Sequence, residues 1–134
     1  MPYDYTRTFA HIYRQSVVFY AARLKELGLN GGQLPHLLCV CDHPGLTQEQ
    51  IAEKTRTDKS TVTKMLKQLV EMDLVERRGN ADDRRSYNVF PTQKALAIYP
   101  IIAAEKRRWH EALTRDLTDT EREILRLLLE KLRV

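Results

Sequence analysis

Between Lys59 and Lys67 the chain sets hydroxyls and cations at the spacing of one helical face. At about 100° per residue, Ser60, Lys64 and Lys67 point one way and Val62, Leu66 and Leu69 the other, with Thr63 on the flank. Short hydroxyls and long cations reach phosphates and base edges in a DNA major groove, so the chemistry on offer is recognition. A second basic pair, Arg84 and Arg85, follows in a polar stretch and suits a neighbouring minor groove. One cationic helix face alone is equally what keeps any protein in solution. The second pair, placed where a loop tip is expected, favours the nucleic-acid reading.

Other reactive types support less. His36, Cys39 and His43 fall at i, i+3 and i+7 and share a helix face, the softness and spacing of a zinc or copper set. Cysteine is also a small buried hydrophobe, and a histidine in a last helical turn suits the dipole, so no metal or other cofactor is expected. Cys39 and Cys41 project about 200° apart on a helix, too divergent to bridge each other. A single sensing thiol would need a lowered pKa. Redox sensing by Cys39 or Cys41 therefore stands as an alternative mode of regulation. The four histidines (His11, His36, His43, His110) are scattered, with no nucleophile motif, Gly-rich phosphate loop or HExxH run, so an enzyme is not expected.

The elements that must position these residues are legible from periodicity. Phe9, Ile12, Tyr13, Ser16, Val17, Tyr20, Leu24 and Leu27 recur at helical steps from about Asp4 to Leu27, and Gly28 followed by Leu29 marks a stop. A second helix is predicted over Gln33–His43, with Pro35 in its first turn and Pro44-Gly45 beyond its end. Thr47-Gln48-Glu49-Gln50 reads as a capping box for a short helix to about Lys54, and Asp58 as the N-cap of a helix through Met72. Leu74–Arg78 and Tyr87–Phe90 read as two strands around the polar loop Gly79–Arg85. Thr92 caps a long helix to about Asp116 interrupted by Pro100, and Thr118-Asp119-Thr120-Glu121 opens a last helix with Ile124, Leu125, Leu128 and Leu132 on one face. A helix-turn-helix followed directly by a hairpin is the winged-helix plan.

Composition agrees. The 134 residues carry 22 Lys+Arg and 18 Asp+Glu, net charge +4, enough for one domain with an appended element. Hydrophobic residues make up 43%, which excludes a disordered chain, and no apolar run approaches a membrane span. Two cysteines and no signal-peptide pattern point to the cytoplasm. Residues 47–94 hold ten Lys/Arg against eight Asp/Glu, so placement rather than total charge carries the recognition reading.

Gly45-Leu46-Thr47-Gln48, Lys59-Ser60-Thr61-Val62-Thr63, Leu74-Val75-Glu76-Arg77-Arg78, Asp83-Arg84-Arg85 and Thr92, in this order and spacing, resemble the MarR (multiple antibiotic resistance regulator) family. The resemblance is densest from about Leu34 to Pro100. It implies a mostly α fold with a small β-hairpin wing: residues 1–32 a dimerisation helix and linker, 33–91 the winged helix-turn-helix, 92–134 the long helix and a second dimerisation helix. It implies a homodimeric transcriptional regulator, expected to be a repressor, on a pseudo-palindromic operator of double-stranded DNA. The DNA-facing set is then Lys59, Ser60, Thr61, Thr63, Lys64, Lys67, Asp83, Arg84 and Arg85, with Asp83 holding the wing-tip Arg85. Ile12, Tyr13, Val17, Leu125, Leu128, Leu129 and Leu132 are the dimerisation candidates. A small aromatic or phenolic effector is implied between the dimer helices and the winged domain, with His11, Arg14, Tyr20 and His36 as candidate contacts. Asp73, Pro91 and Ala95 depart from the family pattern in backbone-critical places and leave the DNA-facing side chains untouched. A winged-helix module for protein interaction, without DNA reading, is the alternative from outside this class.

Overall fold

All of the helices but α2 begin where a side chain satisfies one of their first free N–H groups, and these caps fix the element boundaries. The computed structural model describes residues 2–134. Helix α1 (Tyr5–Glu26) is capped by Asp4, α2 (Leu34–Asp42) starts with Pro35 in its first turn, and α3 (Gln48–Thr55) opens on a complete capping box from Thr47 and Gln50. Asp58 caps α4 (Lys59–Glu71), Thr92 caps α5 (Gln93–Leu113), and Thr118 with Glu121 boxes α6 (Asp119–Lys131). Such caps satisfy donors that helix geometry leaves unpaired.

Three antiparallel strands complete the chain. Strand β1 (Leu46–Thr47), β2 (Val75–Gly79) and β3 (Tyr87–Pro91) lie in the order β1-β3-β2. The β2–β3 hairpin runs in register from Val75 opposite Pro91 to Gly79 opposite Tyr87. Pro91 has no N–H to give, and the ladder continues one residue on, where Thr92 N–H donates to Leu74 O at 3.1 Å. Strand β1 was not expected from the sequence. Two residues carry no alternation, and it exists only because Leu46 and Thr47 pair with Val89 and Asn88. The long helix also ends three residues earlier than predicted, at Leu113, with Thr114 as its C-cap. Pro100 is accommodated inside it.

The core sits within the winged module. Leu37, Val40, Ile51, Val62, Leu66, Leu69, Leu74 and Val89 are fully covered, joined by Leu24 from α1 and Ile102 from α5. Among the described residues α6 buries none of its own side chains. No helix of the described residues is long and apolar enough to cross a membrane.

Candidate nucleic-acid interface and ligand cleft

The start of α4 is built around one carboxylate. Asp58 Oδ1 accepts the Thr61 backbone N–H at 2.7 Å and the Ser60 hydroxyl at 2.7 Å, and its Oδ2 accepts the Thr61 hydroxyl at 3.0 Å. The Thr61 N–H bond, followed by the Ser60 and Thr61 hydroxyls, holds the Asp58 carboxyl below its ordinary pKa. Ser60 and Thr61 therefore keep their oxygens, and not their protons, available to a partner. Thr63 is also engaged: its hydroxyl donates to Lys59 O at 2.9 Å and accepts from the Gln48 side-chain amide. Lys59 reaches Glu49 of α3 at 3.6 Å across an exposed surface, a weak pair in water. Lys64 and Lys67 are exposed and, among the described residues, have no acidic partner. The outward face of α4 is thus two free cations beside a row of pre-oriented hydroxyls.

The hairpin tip is ordered by its own side chains. Asn80 Oδ1 accepts the N–H groups of Asp82 and Asp83 at 2.9 and 3.3 Å, and Asp83 Oδ1 accepts the Arg85 backbone N–H at 2.9 Å. The Asp83 carboxylate thus reaches the main chain of Arg85 and not its guanidinium. It fixes the turn that presents the arginine. Arg84 and Arg85 are both exposed and lack ion-pair partners among the described residues. At the base of the wing Arg78 lies over the Phe90 ring, 4.0 Å from its centroid, and pairs with Glu76. That arginine is spent on the wing itself.

A cleft of about 830 Å³ opens between α1, α2, the end of α3 and α5. Its walls are Val17, Leu24, Leu29, Leu34 and Leu38, with Tyr13, Tyr20, Lys54 and Lys106 supplying polar groups. Of the four residues expected at an effector site, only Tyr20 lines it. His11 and Arg14 lie exposed on α1 away from the lining. His36 is 3% exposed and turned inward, its Nδ1 3.1 Å from Gly32 O and its Nε2 without a hydrogen-bond partner. Burial lowers the His36 pKa, so the ring sits neutral with Nδ1 as the donor. Burial, then Glu105, pushes the Tyr20 phenol up, so it remains a hydroxyl at the cleft wall. Glu105 is itself buried between Arg108 at 2.9 Å and Arg23 at 3.6 Å.

The cysteines lie close to this cleft without converging on a metal. Cys39 lines it and Cys41 is half-buried, and among the described residues no three His, Cys, Asp or Glu side chains gather to hold an ion. Burial, reinforced by Asp42, raises the Cys41 thiol to about 11; burial also raises Cys39, although Lys54 opposes it. Both are thiols at neutral pH and poor nucleophiles.

Two features of this surface carry no sequence signal of their own. Gln48 fixes Thr63 across fifteen residues, and Arg56 occupies the left-handed corner between α3 and α4 at φ 53°. Only the angle between two helices brings Gln48 to Thr63, and no local spacing encodes it.

A helix-turn-helix joined to a three-stranded wing, with an uncovered cationic recognition helix, defines a winged-helix DNA-binding protein. The sequence model of the MarR family matches residues 29–87, and the chain belongs to the MarR family of transcriptional regulators. The MarR protein from Peptoclostridium difficile is 30% identical and superposes with a TM-score of 0.93 over 98% of this chain and 86% of its own. A Listeria monocytogenes protein described as a MarR family transcriptional regulator, solved in complex with 26mer DNA, is 26% identical with a TM-score of 0.91, covering 97% of this chain and 87% of that one. YybA of Bacillus subtilis (strain 168), described as an uncharacterized HTH-type transcriptional regulator, is 28% identical over 109 residues, 81% of this chain and 73% of its own length.

Proposed function

We propose that the protein is a homodimeric, cytoplasmic repressor that reads a pseudo-palindromic operator and leaves it when a small aromatic or phenolic molecule fills the cleft. The observation that carries the DNA reading is the outward face of α4, where Lys64 and Lys67 stand free beside Ser60, Thr61 and Thr63. A major groove offers phosphates for the lysines and base edges for the hydroxyls. Arg84 and Arg85 extend the footprint from the wing tip. The Listeria relative solved with 26mer DNA supports the same partner for this chain.

Dimerisation follows from unsatisfied apolar surface. Leu125, Leu128, Leu129 and Leu132 of the last helical segment are 36–56% exposed, and Tyr13 and Val17 on α1 are 67% and 44% exposed, with Ile12 half-buried beside them. Packed across a two-fold axis, these stripes form an interface of obligate type, more than about 2,000 Å² in total. The two recognition helices then address half-sites about one DNA turn apart.

For the effector, the cleft volume of about 830 Å³ is within the range of small-molecule sites. Its aliphatic walls suit an aromatic ring, and the Tyr20 hydroxyl with Lys54 and Lys106 suits a phenolic or anionic substituent. The raised thiols of Cys39 and Cys41 give the redox alternative no support.

The test is a mobility shift on DNA upstream of the gene at two salt concentrations. A DNA reader loses affinity steeply with salt. Lys64→Ala should weaken binding and, through its phosphate contact, reduce the salt slope by about one. Absence of any shift at low salt would turn the reading to a protein-interaction module.

A further inference from the structure

The loop between α1 and α2 touches the cleft on one side and the recognition helix on the other. Leu29, Asn30 and Gly31 line the cleft. Behind them the same loop lies along Met65, Gln68 and Met72, which share one face of α4. A Cβ placed on Gly32 would meet Met65 Sδ at 3.5 Å, and one on Gly28 would meet Met72 Cε at 3.9 Å. Between these two contacts lies a polar link. Gln33 is 7% exposed, donates from Nε2 to Gln68 Oε1 at 2.9 Å and accepts the Asn30 N–H on its Oε1 at 3.1 Å. The Asn30 side chain returns the bond, its Oδ1 accepting the N–H groups of Gly32 and Gln33, both at 3.0 Å.

We propose that Gln33 and Gln68 are positioning residues that convert occupancy of the cleft into a change in the pose of α4. The inference rests on the effector-release reading above. A molecule filling the cleft displaces Asn30, whose N–H is held by the side-chain oxygen of the buried Gln33. A buried amide that loses a partner is costly, so Gln33 follows Asn30 and carries the Gln68 contact with it. Gln68 neighbours Lys67 and lies one turn from Lys64, so a small rotation of α4 moves both cations relative to the groove. Gln68 itself is half-buried, between Lys64 and the flank of α4 that carries Met65 and Met72.

The relay is testable without knowing the effector, by filling the cleft with a side chain. Ala21 is an exposed residue of the α1 wall, and Ala21→Trp places an indole toward the cleft. Affinity for the upstream DNA, measured by fluorescence anisotropy, should fall about tenfold in the otherwise unchanged protein, within the usual range of coupling between sites. In Gln33→Leu and Gln68→Leu backgrounds the same filling should lower affinity by less than about twofold, because the link is gone. Gln68→Glu keeps an acceptor for Gln33 and should restore the full ratio, whatever its added charge does to absolute affinity. A purely structural amide would shift all affinities and leave the ratio alone. An equal drop in all four backgrounds overturns the relay and leaves effector release standing. No drop in the otherwise unchanged protein, with circular dichroism intact, overturns effector release and the relay together. Leu38→Trp fills the cleft from α2 and decides the matter if Ala21→Trp does not fold.

Discussion

Within the winged module Leu37, Ile51, Val62, Leu66 and Leu69 find their cover inside the chain and are fully buried. The last helix carries four leucines and covers none: Leu128 is 56% exposed, Leu127 and Leu129 each 45%. Both regions have amphipathic helices with well-formed caps, so local propensity does not separate them. What separates them is where the apolar stripe finds a partner. The module satisfies its stripe against α2, α3 and the sheet, whereas α6 presents its stripe to the outside. An apolar face of that kind marks a protein–protein contact, and the difference separates a module that covers its own core from a helix whose stripe the proposed dimer would cover.

The comparison breaks most visibly with one leucine from each region. Leu66→Ala should destabilise folding by about 2–5 kcal/mol, the range for truncating a fully buried leucine, read as a lower midpoint in chemical denaturation. Leu128→Glu should leave each chain's winged module folded but place a charge in the centre of the proposed interface. Light scattering should then report monomers or irregular aggregates, and the DNA shift should disappear at concentrations that saturate the parent. A parent that is already monomeric at micromolar concentration would sink the two-fold mechanism.

A smaller effect is expected at the wing. Arg85→Ala should weaken operator binding by about 1–3 kcal/mol, as for a minor-groove arginine, with the melting temperature unchanged because the side chain has no core contact. Parent-like affinity would remove the wing from the reading surface. Asp83→Ala sharpens the point: its carboxylate fixes the turn through the Arg85 N–H, so its loss should reproduce part of the Arg85→Ala deficit through disorder of the tip.

Most of the scaffold was legible because its signals are local. Thr47, Asp58, Thr92 and Thr118 act as caps within three residues of what they cap, and the stripe of Val62, Leu66 and Leu69 reads directly as the buried face of α4. The rest depends on contacts between distant segments. Strand β1 exists only through Val89 and Asn88; the Gln33–Gln68 link spans 35 residues and the Tyr99–Asp42 link 57. Polar or aromatic type singles out His11, Arg14, Tyr20 and His36, while the cleft is walled mainly by aliphatic side chains whose convergence depends on helix crossing. His36, polar by type, is a buried ring with Nδ1 facing the Gly32 carbonyl.

That ring also makes stability depend on pH. Burial lowers the folded pKa of His36, so the unfolded chain binds the proton more readily. The neutral ring's contribution is fully present above the unfolded value of about 6.5 and is lost as pH falls below it toward the folded pKa. Denaturation midpoints should decline through that window, and His36→Phe should flatten this part of the profile. An unchanged slope would assign it to other groups.

Two helix ends offer the finest comparison. After α1 the chain turns at Gly28, φ 74°, with Leu29 N–H returning to Leu24 O at 2.8 Å. After α4 it makes the same turn at Asp73, φ 58°, with Leu74 N–H returning to Leu69 O at 2.9 Å. Both follow the closing pattern that favours glycine, yet the second holds a residue with a Cβ. Left-handed backbone costs such a residue about 1–2 kcal/mol, less for Asp than for most, while glycine costs about 0.5–1 kcal/mol in backbone entropy. Asp73→Gly should therefore stabilise the fold by about 0.5 kcal/mol, visible as a rise of a few degrees in melting temperature. The Asp73 carbonyl accepts the Thr92 hydroxyl at 2.7 Å through the main chain, a bond glycine keeps. DNA affinity should stay within about twofold, since the turn lies at the end of α4 away from Ser60 and Lys64. A drop in melting temperature would mean that the Asp73 carboxylate contributes more than its backbone strain costs.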